Sequence, residues 1–288
     1  MAMRTDLALE SEQRISASGG LAGVVKKERS YDEAELDVTE IEILTEEAAR
    51  RLGKPVGKYL TVCCRSGRLS DCCENAAARA EVIARELTGL IKLPERVLLA
   101  GLGNISITPD SLGPRTASGV LATRHIKRLA KDIDTSELSE VSVISAGVMA
   151  QTGMESQELI RSLSRETEAQ LVIAVDALAC SELSHLGSTI QLCTSGISPG
   201  SGVENARSEL SEATLGIPCA AIGVPTVTDC SVIAEASGGS ALPEYAGMIV
   251  TPKDIDCLIS RSAELISLGI NRALHPTLSQ EELDLLMQ

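Results

Sequence analysis

The 288-residue sequence contains no phenylalanine, no tryptophan and only three tyrosines. Any core must therefore be built from Val, Ile, Leu and Ala, and a hydrophobic content of 44% supplies them. No run approaches the ~20 consecutive apolar residues of a membrane-spanning helix. The opening residues, MAMRTDLALESEQR, lack the apolar stretch of a secretory leader. Positive charge is scarce: 26 Lys and Arg face 40 Asp and Glu, a formal net charge of −14. That balance disfavours direct contact with nucleic acid or an anionic membrane and suits a basic protein substrate. Histidine is rarer still, with only His125, His185 and His275, and no H-E-x-x-H zinc motif is present. The nine cysteines, without a leader, read as thiols of a reducing cytoplasm and not as a disulfide framework.

What is present is periodic. Residues 1–50 are charged and loosely patterned, but Leu36 to Leu44 alternates apolar and polar as a half-buried strand does, and Tyr59 to Val62 offers a second short strand. Asn75 to Leu90 is rich in Ala, Glu, Arg and Leu and reads as a helix. Beyond Val97, apolar runs at 97–101, 141–144, 171–175, 189–192 and 219–224 alternate with helical stretches at 118–131, 156–165, 204–213 and 253–274. The alternation implies an α/β fold. A mainly parallel sheet, sandwiched by helices, is expected as a single domain over 7–288, with an N-terminal β-containing elaboration.

Two acids occupy matching places. Asp110 follows the strand-like run Val97–Gly101 and a Gly-Leu-Gly-Asn break, and Asp176 ends the run Leu171–Val175. Carboxylates brought together in a low-dielectric site cannot both ionise easily, so one holds a proton while the other activates water. Equally, Asp176 could cap a helix and Asp110 order a turn. Gly101-Leu102-Gly103 begins a dinucleotide fingerprint, but Ser106 stands where the third glycine belongs. The turn Ser198–Val203 runs into a predicted helix. Its backbone N–H groups at Gly200, Ser201 and Gly202 suit an anion or a substrate carbonyl, or an ordinary capped turn. Asn104, at the exit of the first strand, joins them as a candidate substrate contact. Cys63-Cys64 and Cys72-Cys73 lack zinc-ligand spacing, because adjacent cysteines rarely reach one tetrahedral ion, so no metal is assigned. His185 lies five residues after Cys180, which allows a Cys–His dyad or a solvated loop histidine.

Taken in order, GLGNISITPDSLGP, TRH, SAGVMAQTGMES, VIAVDALA, TIQLCTSGISPGSGVENARSEL, ATLGIPCAAIGVPTV, MIVTPKDID and GINRALHP resemble the germination protease family, spore endopeptidases that degrade small acid-soluble spore proteins. The likeness runs from about residue 97 to 276, and RTDLALE resembles the family's processing region. It implies an atypical aspartic endopeptidase without cofactor, made as a zymogen, assembled as a homotetramer in the spore-core cytoplasm, and similar in fold to hydrogenase maturation peptidases. The family's two essential aspartates fall on Asp110 and Asp176, and its processing cut near Asp6 and Leu7, which leaves 1–6 as a short pro-segment. Three features depart from the family: the brevity of that segment, a short stretch between Val227 and Met248, and the Cys63-Cys64 to Cys72-Cys73 segment together with Cys193-Thr194-Ser195 where relatives usually read Ser-Asp-Thr. Two other readings compete. In one, the same acids and a histidine hold a divalent metal in a maturation-type peptidase, which chelation would inactivate. In the other, a non-catalytic α/β domain binds spore proteins or DNA, and would leave the spore proteins uncut.

Overall fold

The computed structural model describes residues 5–16, 21–71, 75–129, 135–200, 208–239, 245 and 247–287. Within them the N-terminal strands are β1 (Val24–Tyr31), β2 (Leu36–Ile43) and β3 (Gly57–Cys64). They are followed by β4 (Arg96–Leu102), β5 (Glu140–Gly147), β6 (Leu171–Cys180), β7 (Thr189–Cys193), β8 (Cys219–Asp229) and β9 (Ile249–Val250). All belong to one sheet of order β1-β2-β3-β7-β8-β6-β4-β5, with β9 beside β8. The half formed by β8, β6, β4 and β5 is parallel. The half from β1 to β7 is antiparallel and joins the other through an antiparallel β7–β8 pair. The α/β class holds, and the N-terminal β elaboration is an extension of the central sheet.

The helices of the first half are α1 (Ala8–Ser16), α2 (Glu46–Leu52), α3 (Ala76–Leu90), α4 (Leu112–Ser118) and α5 (Arg124–Leu129). Those of the second are α6 (Met149–Thr152), α7 (Ser156–Glu166), α8 (Glu212–Leu215), α9 (Cys230–Ala236), α10 (Ile255–Leu274) and α11 (Gln280–Leu286). They divide between the sheet's faces. On one, α3, α4 and α10 set Ile83, Leu87, Leu112, Ile259 and Ile266 against Leu60, Leu99, Ile173 and Ile222. Each such side chain contributes about 1.5–3 kcal/mol on burial, so aliphatic residues alone suffice for a core without Phe or Trp. On the opposite face, α7 and α8 cover β4 and β6 through Ile160, Leu215, Leu98 and Val172. There α1 and α2 cover β2, β3 and β7.

Three expectations need correction. Of the helix expected over 118–131, α4 ends at Ser118 and α5 covers 124–129, with 119–123 outside both helices and 130–131 outside the described residues. The Thr123 hydroxyl accepts from Val141 N and donates to Ser139 O, while Leu121 N donates to Asn271 Oδ1 at 3.0 Å. These bonds tie the segment to β5 and α10, so it cannot continue a helical ladder. Of the helix expected at 204–213, residues 201–207 lie outside the described residues. Leu210 instead pairs with Ile197 in an isolated bridge, which delays helix α8 to Glu212. Finally, β6 does not end at Asp176 but runs four residues further, its Ala177–Cys180 stretch paired with Val224–Thr228 of β8.

Candidate functional site

The chain leaves β4 through Gly103, whose φ of 105° lies in the region that glycine tolerates. A Cβ there would sit 2.0 Å from the Asp110 carbonyl oxygen and 3.0 Å from its Oδ1. The absent side chain thus lets the 3₁₀ turn Thr108–Asp110 fold back against the strand exit, where Asn104 N donates to Asp110 Oδ2 at 2.8 Å. Asn104 is therefore beside Asp110. Its side-chain Oδ1 is already engaged, accepting from Ser106 N and from Gln151 Nε2. The turn is fixed from the other side by Thr226 of β8, whose hydroxyl donates to Pro109 O at 2.8 Å.

Asp176 is buried in the middle of β6, with Oδ1 accepting from Ala177 N at 2.9 Å. It nevertheless stands at a strand end of its neighbour. Gly101 of β4 pairs with Val175, and β4 stops one residue later. Both acids thus lie where β4 gives out beside β6. Asp176 shares the α1/α7 face of the sheet, between Ala174 in one apolar cluster and Leu178 in another. In the sheet register Asp176 pairs with Gly223 of β8, and Gly223 with Gln191 of β7. A row Asp176–Gly223–Gln191 therefore crosses three strands on one face, with no side chain in its centre. A Cβ on Gly223 would lie 2.6 Å from Leu178 Cγ and 2.7 Å from Asp176 O.

The N-terminal segment lies over this row. Asp6 N donates to Ala179 O at 3.0 Å, and Ala179 N donates to Asp6 Oδ2 at 2.8 Å. Leu7 is completely buried among Leu178, Cys180 and Leu186. Gln191 donates through Nε2 to Asp6 O at 2.9 Å and accepts at Oε1 from Ala8 N at 2.8 Å. Lys54 Nζ donates to Thr5 O at 2.9 Å. Desolvation holds the Lys54 pKa below the usual lysine range, although the Asp6 carboxylate works against it. One turn later, buried Glu10 accepts from Ser181 N at 2.7 Å, from the Ser181 hydroxyl and from Glu182 N, and meets His185 Nδ1 at 2.8 Å. Burial works to raise the Glu10 pKa, but the bonds from His185 and Ser181 hold it below the usual carboxylate range. Beside the segment opens a cavity of about 630 Å³, whose walls include Asp6, Arg14, Lys54, Gln191, Ser198 and Gly223.

The other candidates separate. Gly200, at φ 72°, lies in the turn that follows the cavity wall at Ser198, whereas Ser201 and Gly202 lie outside the described residues. Gly196-Ile197-Ser198-Pro199-Gly200 has the G-x-S-x-G spelling, but Ile197, before the serine, sits in an isolated bridge to Leu210 and not in a strand of the sheet, and residues 201–207 lie outside the described residues. His185 is the buried partner of Glu10 and not a solvated loop histidine. Burial first, and Glu10 second, push the Cys180 thiol up to about 12, which favours the protonated thiol, and His185 is engaged by Glu10. Cys63 and Cys64, successive on β3, point to opposite faces, and Cys72 and Cys73 lie outside the described residues. Among the described residues no group of three or more His, Cys, Asp or Glu could hold a metal ion. Nor is any helix among them long and apolar enough to cross a membrane. Gln191, Lys54 and Glu10 carry no sequence signal of their own; only the register and the docked N-terminus single them out.

The sequence profile of one family, germination protease, matches residues 3–238. Among characterised relatives, the germination protease of Clostridium perfringens is 36% identical, with 98% of each chain covered. That of Caldanaerobacter subterraneus is 36% identical over 100% of this chain and 98% of its own, and that of Priestia megaterium 33% identical over 96% and 92%. Of solved structures, a [NiFe] hydrogenase maturation protease, HycI, from Thermococcus kodakarensis aligns with 66% of this chain and 98% of its own, at 19% identity and a TM-score of 0.37.

Proposed function

The chain belongs to the germination protease family, and from that premise we propose an endopeptidase that degrades small acid-soluble spore proteins through a water activated by Asp110 and Asp176. The observation that carries this reading is the position of the two acids. One lies on the loop where β4 ends, and the other on the adjoining strand at the level of that end. In an open α/β sheet this is where ligands bind. The balanced step needs one carboxylate and one carboxylic acid. The carboxylate takes a proton from water as the oxygen adds to the peptide carbonyl carbon, and the acid donates to the leaving nitrogen as the C–N bond breaks. Nothing beyond the acids and water is required, so no cofactor is assigned.

The same reading makes the full chain a zymogen cut between Asp6 and Leu7. That bond is laid over the face that carries Asp176, as a peptide to be cut would be. A homotetramer in the spore-core cytoplasm completes the proposal and follows from the family likeness. The test is Asp110→Asn and Asp176→Asn, each made separately. Asn keeps the shape and caps a helix about as well as Asp, so both variants should fold while cleavage of a small acid-soluble spore protein falls at least 10²–10⁴-fold. Near wild-type cleavage by either variant returns that aspartate to a structural role.

A further inference from the structure

We propose that Gln191 is the residue that grips the backbone of the peptide to be cut and holds the oxygen of the scissile carbonyl. The inference rests on the reading of Asp6–Leu7 as a bond the protein cuts. Gln191 touches Thr5–Ala8 only through main-chain groups, donating to the carbonyl of residue 6 and accepting from the N–H of residue 8. An amide that spans two residues in this way reads an extended backbone without reading its sequence. The carbonyl it holds belongs to Asp6, on the acyl side of that bond. Gln191 also faces the same side of the sheet as Asp176, two strand spacings away, about 10 Å between Cα atoms. The position between them is Gly223, which bears no side chain, is overlaid by Leu178 and, like Gln191, lines the cavity beside the segment.

When water adds to the carbonyl carbon, the oxygen bound to Nε2 takes the negative charge, and an amide N–H already aimed at it stabilises the transition state more than the ground state. The charge collapses back as the C–N bond breaks and the nitrogen leaves with its proton. Lys54 supports the grip one carbonyl upstream, at Thr5 O. Side-chain selection is left to the pocket of Leu178, Cys180 and Leu186, which takes one apolar residue after the cut.

Gln191→Met and Gln191→Glu test the assignment in the full chain. The first removes both hydrogen bonds at similar length. The second keeps the acceptor and, ionised, lacks the donor. Removing one such donor typically costs 10²–10³-fold in kcat. Both variants should therefore lose that factor in kcat on a small acid-soluble spore protein, with KM changed less, and should retain their N-termini by mass spectrometry. Thermal melts identify the folded variants, and the isosteric Gln191→Glu serves if Gln191→Met does not fold. A folded variant that cleaves at the wild-type kcat overturns the inference and leaves the peptidase reading intact. A wild-type chain that cuts neither itself nor the spore protein overturns both.

Discussion

His275 illustrates how a single buried side chain sets a pH limit. It closes the C-terminus of α10 with no exposed surface, and burial pushes its pKa from 6.5 to about 4. Below pH 6.5 the unfolded chain takes up a proton that the folded chain refuses until about pH 4. The stabilisation is therefore complete above 6.5 and is lost as pH falls through that window, by about 3 kcal/mol in all. Melting wild type and His275→Leu at pH 7 and pH 5 should show a smaller acid-side drop in the variant. Equal drops would place the proton elsewhere. At this scale the sequence was partly legible. Asp110 and Asp176 are marked by the apolar runs before them, but His275 carries no local sign of burial. Gln191, in Thr-Ile-Gln-Leu-Cys, becomes conspicuous only when β7 pairs with β8.

Among the elements, α1 is held to the body by one carboxylate as well as by the apolar packing of Ala8, Leu9 and Ile15. Glu10 satisfies two backbone N–H groups and a hydroxyl of the β6–β7 connection. Bonds to a charged group are worth about 1.5–3 kcal/mol, and donors left buried without a partner cost a similar amount. Glu10→Ala should therefore lower stability by about 2–3 kcal/mol in a denaturant titration. It should also speed amide exchange in residues 8–16 while β4 and β6 stay protected. Uniform exchange across the chain would mean that α1 is no separate unit. Uninterrupted apolar strands such as 97–101 and 171–175 are legible because both faces are buried. By contrast, β1, Val24–Tyr31, is an edge strand with mostly exposed residues and no apolar alternation to betray it. The helix read across 118–131 failed for a long-range reason: Thr123 and Leu121 bond to partners that sequence distance hides.

At the scale of the whole molecule, the complete burial of Leu7 would make the proposed cut hard to reverse. An intact peptide is neutral and can sit in an apolar seat. Hydrolysis of the Asp6–Leu7 bond creates an ammonium on Leu7 and a second carboxylate on Asp6. An ammonium in surroundings such as Leu178, Cys180 and Leu186 loses hydration worth several kcal/mol. The new terminus would thereby be driven out, while Glu10, three residues on, would keep α1 attached. In a chain that begins at Leu7, the Ala179 amide, covered by the Asp6 carboxylate in the full chain, should exchange many-fold faster. Unchanged protection there would mean that the seat stays shut. On the proposed reading, severing the N-terminal segment would act as a ratchet: its two ends would each be hydrated and charged, neither could re-enter the apolar seat cheaply, and the first turnover would leave the cavity beside it vacant for every later one.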